Sequence, residues 1–334
     1  MSVAIVILNF NGKDFLAKFL PKVIETSPEG TIYVADNGST DDSLALLAAD
    51  FPSVTVLSWA ENLGYAGGYN FALGQIKANY FVLMNSDIAP RKNWLEPLVS
   101  YFEANPSVAA AQPFLLDYHK PDYFEYAGAA GGFWDSYGYP FCRGRLFDTL
   151  EKNEGQYATS IVNWATGACL MVRSDVFQKV GGLDDYLFAH MEEIDLCWRM
   201  QRAGYNIAAV AESEVLHVGG GTLNKENPFK TYLNFRNNLI LLYKNVDPSQ
   251  RFKTIFIRMI LDGIAGIKFL VEGKFSSFTA ILKAHFGYYH YVFFKKDKQN
   301  LPAELQKSWP TSYSGSILKA YFLEGKKQFD KIKF

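Results

Sequence analysis

The chain has 334 residues, of which 49% are hydrophobic and 20% charged, and its formal net charge is -1; this is enough for one large domain with an appendage. Its three cysteines, Cys142, Cys169 and Cys197, are far apart and form no CxxC pair, which excludes a disulfide framework or a zinc site and indicates a reducing compartment such as the cytoplasm. No uncharged apolar run reaches the ~18 residues of a membrane-spanning helix, and the N-terminus lacks the basic region and cleavage site of a signal peptide.

Four short β-type runs come first along the chain, at residues 3–8, 31–35, 54–57 and 80–84. Helix-period segments such as DFLAKFLPKVIE and DDSLALLAADF separate them. This alternation predicts an α/β fold with a mostly parallel sheet and helices on both faces. Ligands of such sheets bind beyond the carboxyl ends of the strands.

A polar cluster follows each of these runs. One cluster alone would most simply be a turn, because Asn, Asp and Gly favour turns. Four clusters at one edge of the sheet predict a binding site instead, and the last places the carboxylate of Asp87 there. The clusters are Asn9, Asn11 and Gly12; Asp36, Asn37 and Gly38; Asn62 and Gly64; and Asn85, Ser86 and Asp87.

The stretch ENLGYAGGYN, residues 61–70, is rich in glycine at the predicted start of a helix. It is neither a GxGxxG motif after the first strand nor a GxxxxGK[ST] loop, so a dinucleotide site is not supported and a phosphate-loop NTPase is excluded. Glycines here would let the backbone approach a ligand closely. The alternative is a flexible entry into the helix.

Further along, residues 114–162 are aromatic and glycine-rich without clear periodicity, and they predict an ordered loop that acts as a lid or binding loop.

The stretch DDYLFAHMEEIDLCWRM, residues 184–200, predicts a helix with acidic residues on two faces. Glu192 and Asp195 share one face, and Asp195 can pair with Arg199. Glu193 points toward apolar positions, where burial would raise the pKa of its carboxyl, as suits a general base. The alternative is a surface helix with ordinary salt bridges.

His217 follows an apolar strand and precedes three glycines in VLHVGGGT. A lone histidine is usually structural, but a glycine loop would let the imidazole and the backbone amides reach a diphosphate or a metal. Asp87, a neutral imidazole and phosphate oxygens would suit Mg²⁺ or Mn²⁺ in a site that takes some ligands from its substrate.

The last third of the chain is basic. From Phe229 onward there are 18 Lys and Arg against 7 Asp and Glu, whereas the preceding residues carry 15 against 27. Residues 252–273 predict a helix with charged side chains around one face (Lys253, Arg258, Asp262, Lys268 and Glu272) and an apolar opposite face (Phe252, Ile255, Phe256, Met259, Ile260, Gly263, Ile264, Ile267 and Leu270).

Basic amphipathic helices of this kind lie in membrane interfaces, so an anionic membrane surface is a predicted partner. The alternative is packing against the rest of the chain or against a second copy in an oligomer. Nucleic acid is not expected, because the aromatic residues are mixed with long aliphatic runs.

Seven motifs together resemble the family 2 inverting glycosyltransferases of the GT-A fold, and among them the rhamnosyltransferase-like branch. In chain order they are VILNFNG, VADNGSTDDS, ENLGYAGGYN, VLMNSD, WATGACLMVRSDVF, VGGLDDYLFAHMEEIDLCWRM and VLHVGGG. The resemblance covers about residues 1–240. It implies a nucleotide-sugar donor, a divalent metal (Mg²⁺ or Mn²⁺), and a single displacement with inversion at the anomeric carbon.

The resemblance also implies roles for individual residues. Asp87 would hold the metal together with His217, and Trp164 and Gly167 would border the acceptor pocket. Glu193 would be the catalytic base, with Glu192 as the alternative. The implied nucleotide-binding residues are Phe10, Asp36, Asn62, Gly64 and Asn85.

Two residues depart from the family pattern. Asn85 stands where the first carboxylate of the DxD element is expected, which leaves one carboxylate at the metal. Glu193 stands where the base is normally Asp, which lengthens the side chain by one methylene and keeps Glu192 open as the base.

The sequence therefore predicts a GT-A catalytic domain at 1–228, with a sugar-donor half to about 113 and an acceptor half from about 114, and a helical extension at 229–334. The predicted reaction transfers a sugar, with dTDP-rhamnose as a candidate donor, to a lipid-linked cell-surface glycan at the inner face of the plasma membrane. The rival functions are a nucleotidyltransferase on a similar sheet and a carbohydrate-binding protein without activity.

Overall fold

The structure is a computed structural model that describes residues 1–219, 227–295 and 313–334. Its strands are β1 (Val3–Asn9), β2 (Thr31–Asn37), β3 (Thr55–Trp59), β4 (Tyr80–Asn85), β5 (Ile88–Pro90), β6 (Val108–Asp117), β7 (Gly132–Trp134), β8 (Pro140–Cys142), β9 (Arg145–Leu146), β10 (Thr149–Leu150), β11 (Ser160–Val162), β12 (Cys169–Arg173) and β13 (Asn206–His217).

The helices alternate with the strands in the first half and follow one another in the last third. They are α1 (Lys13–Thr26), α2 (Ser43–Asp50), α3 (Gly64–Leu73), α4 (Leu95–Ala104), α5 (Ser174–Lys179), α6 (Glu192–Arg202), α7 (Pro228–Asn245), α8 (Pro248–Val271) and α9 (Phe275–Phe294). No helix of the described ranges is long and apolar enough to cross a bilayer.

The main sheet has the strand order β11-β13-β6-β12-β4-β1-β2-β3, and β5 pairs with β13. Strands β3, β2, β1 and β4 are mutually parallel, as predicted. Strand β12 is antiparallel to both β4 and β6, and β6 and β13 are parallel again. The predicted GT-A type of mixed, mostly parallel sheet is confirmed.

The sheet is buried on both faces by apolar side chains. Helices α1 and α4 contribute to the core on one side, and α3 and α6 to the core on the other. This explains why β1 and β4 are apolar at successive positions rather than at alternate ones. All three cysteines are buried and unpaired.

The segment predicted as an irregular loop at 114–162 contains a second, small sheet. It has the strand order β10-β9-β8-β7, and its hairpins are too short to give a clear two-residue period in the sequence. The C-terminal residues 313–334 pack onto it: Tyr313 N donates to Trp134 O at 2.8 Å, and Ile317 N to Asp135 Oδ2 at 3.0 Å.

Helix α7 belongs to the same hydrophobic core as the main sheet. Its residues Leu239, Ile240, Leu241 and Leu242 are fully buried in the cluster that also contains the apolar side chains of α6. The domain boundary at 228 stays a prediction, but the hydrophobic core continues across it.

Candidate active site

The carboxyl ends of β1 and β2 hold a buried polar group of the predicted site. Asn9 Nδ2 donates to Asp36 Oδ2 at 2.9 Å and to Ser39 Oγ at 3.1 Å, and Ser39 N donates to Asp36 Oδ1 at 3.0 Å. Asp36 is 1% exposed, whereas Phe10, immediately after β1, is 37% exposed. An aromatic ring therefore lies at the surface beside a rigid carboxylate.

The next polar group is centred on Asn37. Its Nδ2 donates to Asn62 Oδ1 and to Gly64 O, both at 2.9 Å, and Leu63 N donates to its Oδ1 at 2.9 Å. Asn62 Oδ1 also accepts a hydrogen bond from Gly64 N at 2.8 Å. The end of β2 thus fixes the glycine-rich start of α3, so the predicted nucleotide-binding residues Asn62 and Gly64 are held by Asn37.

Position 64 requires glycine. Its φ is 73°, in the left-handed region, and a Cβ built on it would lie 2.5 Å from Cδ2 of Phe188. The carbonyl of Phe188 accepts hydrogen bonds from Tyr65 N at 2.7 Å and from Ala66 N at 3.1 Å. Backbone contact between the start of α3 and the loop before α6 is therefore very close.

Asp87 and His217 come together, as predicted, but with a third residue that the sequence did not suggest. His217 Nε2 lies 3.2 Å from Asp87 Oδ1, and its Nδ1 lies 3.0 Å from Glu125 Oε2. The second contact is an ion-pair distance without hydrogen-bond geometry. Asp87 follows β4, His217 is the last residue of β13, and Glu125 lies beyond the end of β6. All three are at most 6% exposed.

These two carboxylates determine the charge of the imidazole. Burial alone would lower the pKa of His217, but hydrogen bonding and the charges of Asp87 and Glu125 outweigh it and raise the pKa to about 10. Burial raises the pKa of Asp87, while the hydrogen bond and charge of His217 lower it below the usual range. The two carboxylates therefore favour the protonated ring rather than the neutral imidazole that the sequence analysis expected, and a metal ion bound at Nε2 would have to displace that proton.

Glu193 and Glu192 begin α6 but occupy different environments. Glu192 is 3% exposed, whereas Glu193 is partly exposed. Each carboxylate has one buried oxygen, Oε2, without a hydrogen-bond partner. Because only Glu193 has surface that a substrate can reach, the structure favours it over Glu192 as the group that meets a hydroxyl.

Burial raises the pKa of both carboxyls. For Glu192, the charge of Glu193 adds to the rise. For Glu193, the backbone amides of Ile194 and Gly167 are among the groups that oppose burial and stabilise the charged form. A carboxylate that is ionised but destabilised is a stronger base than one in water.

Gly167 lies directly against Glu193. A Cβ built on Gly167 would lie 3.5 Å from Cβ of Glu193 and 2.6 Å from Oη of Tyr65. The hydroxyl of Tyr65 donates a hydrogen bond to Gly167 O at 2.6 Å. Trp164 is 6% exposed, and its indole nitrogen donates to Phe133 O at 3.1 Å.

The pairing of β12 with β4 connects the part of the site around Glu193 with the part around Asp87. Asn85 N donates to Ala168 O at 2.9 Å, and β12 pairs antiparallel with β4 from Cys169 opposite Met84. Gly167, beside Glu193, is therefore two residues before β12, and Asp87 is two residues after the end of the neighbouring strand β4. The structure brings the candidate base and the candidate metal ligand to the same edge of the sheet.

The loop that leads to Glu192 and Glu193 is strained and is held by α7. Phe188, His190 and Met191 have φ values of 64°, 68° and 74°, which are unfavourable for side chains of this size. Asn237 Nδ2 donates to the carbonyls of Leu187 at 2.8 Å, Ala189 at 2.9 Å and His190 at 2.7 Å. Such strain persists where the surroundings fix it, and it is often found at functional sites.

The family of this chain follows from comparison with known proteins. The model of glycosyl transferase family 2 matches residues 4–181. The chain belongs to that family. It is a glycosyltransferase, and the predicted rhamnosyltransferase-like branch is confirmed by its relatives.

Two relatives of this family 2 enzyme are rhamnosyltransferases. The N-acetylglucosaminyl-diphospho-decaprenol L-rhamnosyltransferase of Mycobacterium tuberculosis is 28% identical over 239 residues, covering 64% of this chain and 75% of the relative. Rhamnosyltransferase WbbL of Escherichia coli is 24% identical over 224 residues, covering 64% and 83%.

A solved structure shares the fold. The mannosyltransferase PcManGT from Pyrobaculum calidifontis, in complex with GDP-Man and Mn²⁺, superposes with a TM-score of 0.52 at 13% identity and covers 88% of each chain.

The donor set of this family 2 enzyme fits a hard divalent cation. Asp87 offers a carboxylate oxygen, and His217 would offer an imidazole nitrogen once a bound ion displaced the proton that faces Asp87; both are ligand types that Mg²⁺ or Mn²⁺ accepts when a diphosphate completes the shell. The described ranges contain no group of three or more His, Cys, Asp or Glu side chains placed to bind a metal.

Four residues of the site were missed from the sequence: Glu125, Tyr65, Phe188 and Asn237. Tyr65 lies inside the glycine-rich motif, which the sequence analysis interpreted through its glycines and its backbone alone. Glu125 lies in the segment predicted as an irregular loop, so nothing marked it as a partner of His217. Asn237 lies within a buried helix, where an amide ordinarily signals only a satisfied core position.

Proposed function

We propose that this enzyme transfers a sugar from a nucleoside-diphosphate sugar to a hydroxyl group of a lipid-linked, growing cell-surface glycan, with inversion at the anomeric carbon. The observation that supports it most directly is Glu193, a partly exposed residue whose buried Oε2 has no hydrogen-bond partner, near the sheet edge that carries Asp87. The first candidate donor is dTDP-rhamnose, because two relatives are rhamnosyltransferases.

In this proposal Glu193 is the general base. It accepts the proton of the acceptor hydroxyl while the hydroxyl oxygen forms a bond to the anomeric carbon and the bond to the diphosphate oxygen breaks. One displacement inverts the anomeric configuration, and no carboxylate nucleophile is needed. Gly167 lies against Glu193 and the hydroxyl of Tyr65, and we propose that Gly167 and Trp164 border the acceptor pocket.

Asp87 and His217 would hold a divalent metal, Mg²⁺ or Mn²⁺. When bound, the ion supplies positive charge to the departing diphosphate. Glu125 holds the second ring nitrogen of His217 and so sets the orientation of the imidazole.

The nucleotide would lie along the ends of β1, β2 and β4. We propose that the exposed ring of Phe10 and the carboxylate of Asp36 contact the base. Asn62 and Gly64 would be near the ribose or the phosphates, where the backbone approaches without a side chain, and Asn85 would lie beside the diphosphate.

A lipid-linked acceptor requires the enzyme to work at a membrane surface. We therefore propose that it acts at the cytoplasmic face of the plasma membrane as a peripheral protein, with its C-terminal helices as the contact or as an oligomer interface.

The experiment is an assay of sugar transfer. The purified enzyme is incubated with a panel of nucleotide sugars, Mn²⁺ and a polyprenyl-diphosphate-linked N-acetylglucosamine, and products are identified by mass spectrometry. We expect a product one deoxyhexose heavier with dTDP-rhamnose. Binding of nucleotide sugars without transfer to acceptor or water would instead support a binding protein and contradict the proposal.

A further inference from the structure

Helix α8 buries one pair of charged side chains and exposes a row of apolar ones. Arg258 and Asp262 are 4% and 2% exposed; Arg258 Nη2 lies 3.4 Å from Asp262 Oδ1, and Asp262 Oδ2 lies 3.2 Å from Nε2 of His285 on α9. At about 100° per residue, Ile260 and Ile264 lie about 160° around the helix from Asp262. The exposed apolar side chains of α8 are Phe252, Phe256, Ile260, Ile264, Ile267 and Val271, each 50% to 84% exposed.

Helix α9 also exposes a row of apolar side chains. Its buried face carries Ala284 and Tyr288, and it packs against α8, where a Cβ on Gly266 would lie 3.2 Å from the ring of Phe278. The opposite face exposes Phe275, Leu282, Phe286, Tyr289 and Phe293, each 45% to 75% exposed. We call these residues and the six on α8 the apolar face.

The charges beside the apolar face are almost all positive. Among residues 248–295, the exposed basic side chains apart from histidine are Lys253, Lys268, Lys274, Lys283 and Lys295. The exposed acidic side chain in the same range is Glu272. Lys268 Nζ lies 6.0 Å from the ring centroid of Phe322, which is 54% exposed beside Leu323 at 80%. The C-terminal segment therefore adds apolar surface next to α8.

We propose that the apolar face is seated in the interface of a bilayer that contains anionic lipid. Exposed aromatic and aliphatic side chains enter the boundary between headgroups and acyl chains, and the lysines meet the anionic headgroups. A second copy of this chain is a poorer occupant, since a two-fold contact through the same face would oppose the lysines of both copies.

The position of the face deepens the proposed function, on which this inference rests for its lipid-linked acceptor. Helix α9 packs on α7, where a Cβ on Gly287 would lie 2.8 Å from Tyr232 Oη and 3.1 Å from Arg236 Cδ. Arg236 Nη2 in turn donates to the carbonyls of Tyr186 and Leu187 at 3.1 Å. Helix α7 thus lies between the apolar face and the loop that leads to Glu193.

Vesicle co-sedimentation of the full chain, without sugar donor or acceptor, tests the proposal. The wild type should bind vesicles of equal parts phosphatidylcholine and phosphatidylglycerol. The double variant Ile260→Ser/Ile264→Ser should bind at least ~10-fold less, because insertion of apolar side chains supplies much of the affinity. Leu44→Ser, at a 41% exposed leucine of α2, is the matched control and should bind like the wild type.

A second variant tests the charges. Lys253→Gln/Lys268→Gln/Lys283→Gln should weaken binding to the anionic vesicles at least ~10-fold, as should high salt, because each basic residue near the surface adds an electrostatic attraction. Equal binding to pure phosphatidylcholine would overturn the anionic-lipid part of the proposal.

Wild-type binding by Ile260→Ser/Ile264→Ser would overturn the apolar face as the contact. A wild-type dimer in analytical ultracentrifugation that the same substitutions dissolve would assign the face to a second copy instead. Glu193→Gln should bind vesicles normally, so a failure of sugar transfer with intact vesicle binding would count against the proposed function alone.

Discussion

At the scale of single residues, the adjacent Glu192 and Glu193 differ in their exposure to solvent. Glu192 is enclosed, while Glu193 keeps accessible surface beside Gly167. Successive helix positions point about 100° apart, which is enough to bury one side chain and leave the next partly exposed. The sequence predicts that the base is one of these two glutamates, and the difference in burial favours Glu193.

Glu193→Gln should reduce kcat by at least ~100-fold, the low end for loss of a general base, with little change in affinity for the sugar donor. The amide keeps the shape of the side chain and removes its basicity. Steady-state kinetics and calorimetric donor titration measure the two quantities. If Glu192→Gln is inactive while Glu193→Gln remains active, the roles are exchanged.

The rate should also depend on pH through the same carboxyl. Burial raises the pKa of Glu193 above its usual range, and a base works only when deprotonated, so kcat should fall as the pH drops through that raised pKa. A pH–rate profile should show this acid limb in the wild type, and the residual activity of Glu193→Gln should lack it. An acid limb that persists in the variant would assign it to another group.

Asp87→Ala should abolish metal-dependent binding of the sugar donor and leave the fold intact, because Asp87 follows strand β4 and does not belong to the apolar core. Calorimetry of the nucleotide with and without Mn²⁺ is the measurement. Asp175→Ala, at an exposed aspartate of α5, is the control. Unchanged metal dependence in Asp87→Ala would remove Asp87 from the metal site.

At the scale of elements, the catalytic loop before α6 is held from two sides. The start of α3 donates backbone hydrogen bonds to Phe188, and α7 donates side-chain hydrogen bonds through Asn237. Helix α7 is also tied to α6, since Lys244 Nζ lies 3.2 Å from Asp195 Oδ2 and Arg199 Nε lies 2.7 Å from the same oxygen. The predicted pairing of Asp195 with Arg199 is confirmed.

Asn237→Ala should lower the free energy of unfolding by about 2 kcal/mol or more, because it leaves three carbonyls without their shared donor. It should also reduce kcat, since the loop that places Glu193 is released. Asn238→Ala is a matched control: this neighbour is 2% exposed, and its side-chain nitrogen and oxygen have no hydrogen-bond partner. Denaturant unfolding and kinetics test both variants; equal losses in the two would contradict the role of Asn237.

The sequence predicted some elements of the fold better than others, and the reasons are physical. The first four strands are short apolar runs bounded by turn residues, so β1 to β4 were found within about two residues of their ends. The small sheet of β7 to β10 was missed because its strands have only two or three residues each. The helix at 252–273 was recognised, but periodicity cannot say which face is buried, and α8 buries the one that carries Arg258 and Asp262.

At the scale of the whole molecule, the basic C-terminal helices are part of the fold as well as a candidate membrane contact. Ile255 of α8 and Tyr288 and Tyr291 of α9 are buried in the cluster that contains the core of α6. A helix that covers the catalytic core on one side and exposes apolar side chains on the other cannot be removed without uncovering that core.

A chain truncated after residue 247 should therefore unfold at a lower temperature than the full chain, because it exposes the apolar side chains of α7 that α9 covers. Thermal unfolding followed by circular dichroism is the measurement, with removal of the first two residues as a control for truncation itself. An unchanged, cooperative transition would show that the helical extension is an independent domain, as the predicted boundary at 228 suggests.

The inverted burial of α8 has a consequence for which substitutions the protein can tolerate. On a helix that faces water, outward positions accept almost any polar residue and inward positions accept only apolar ones. On α8, Arg258 and Asp262 should resist replacement as strictly as a core leucine, because loss of either leaves the other charge buried without its partner. Ile260 and Ile264 should accept other apolar residues freely. In a library of variants selected for transfer to a lipid-linked acceptor, α8 should therefore retain polar residues inside and apolar ones outside, whereas selection for folding alone should preserve only the inner set.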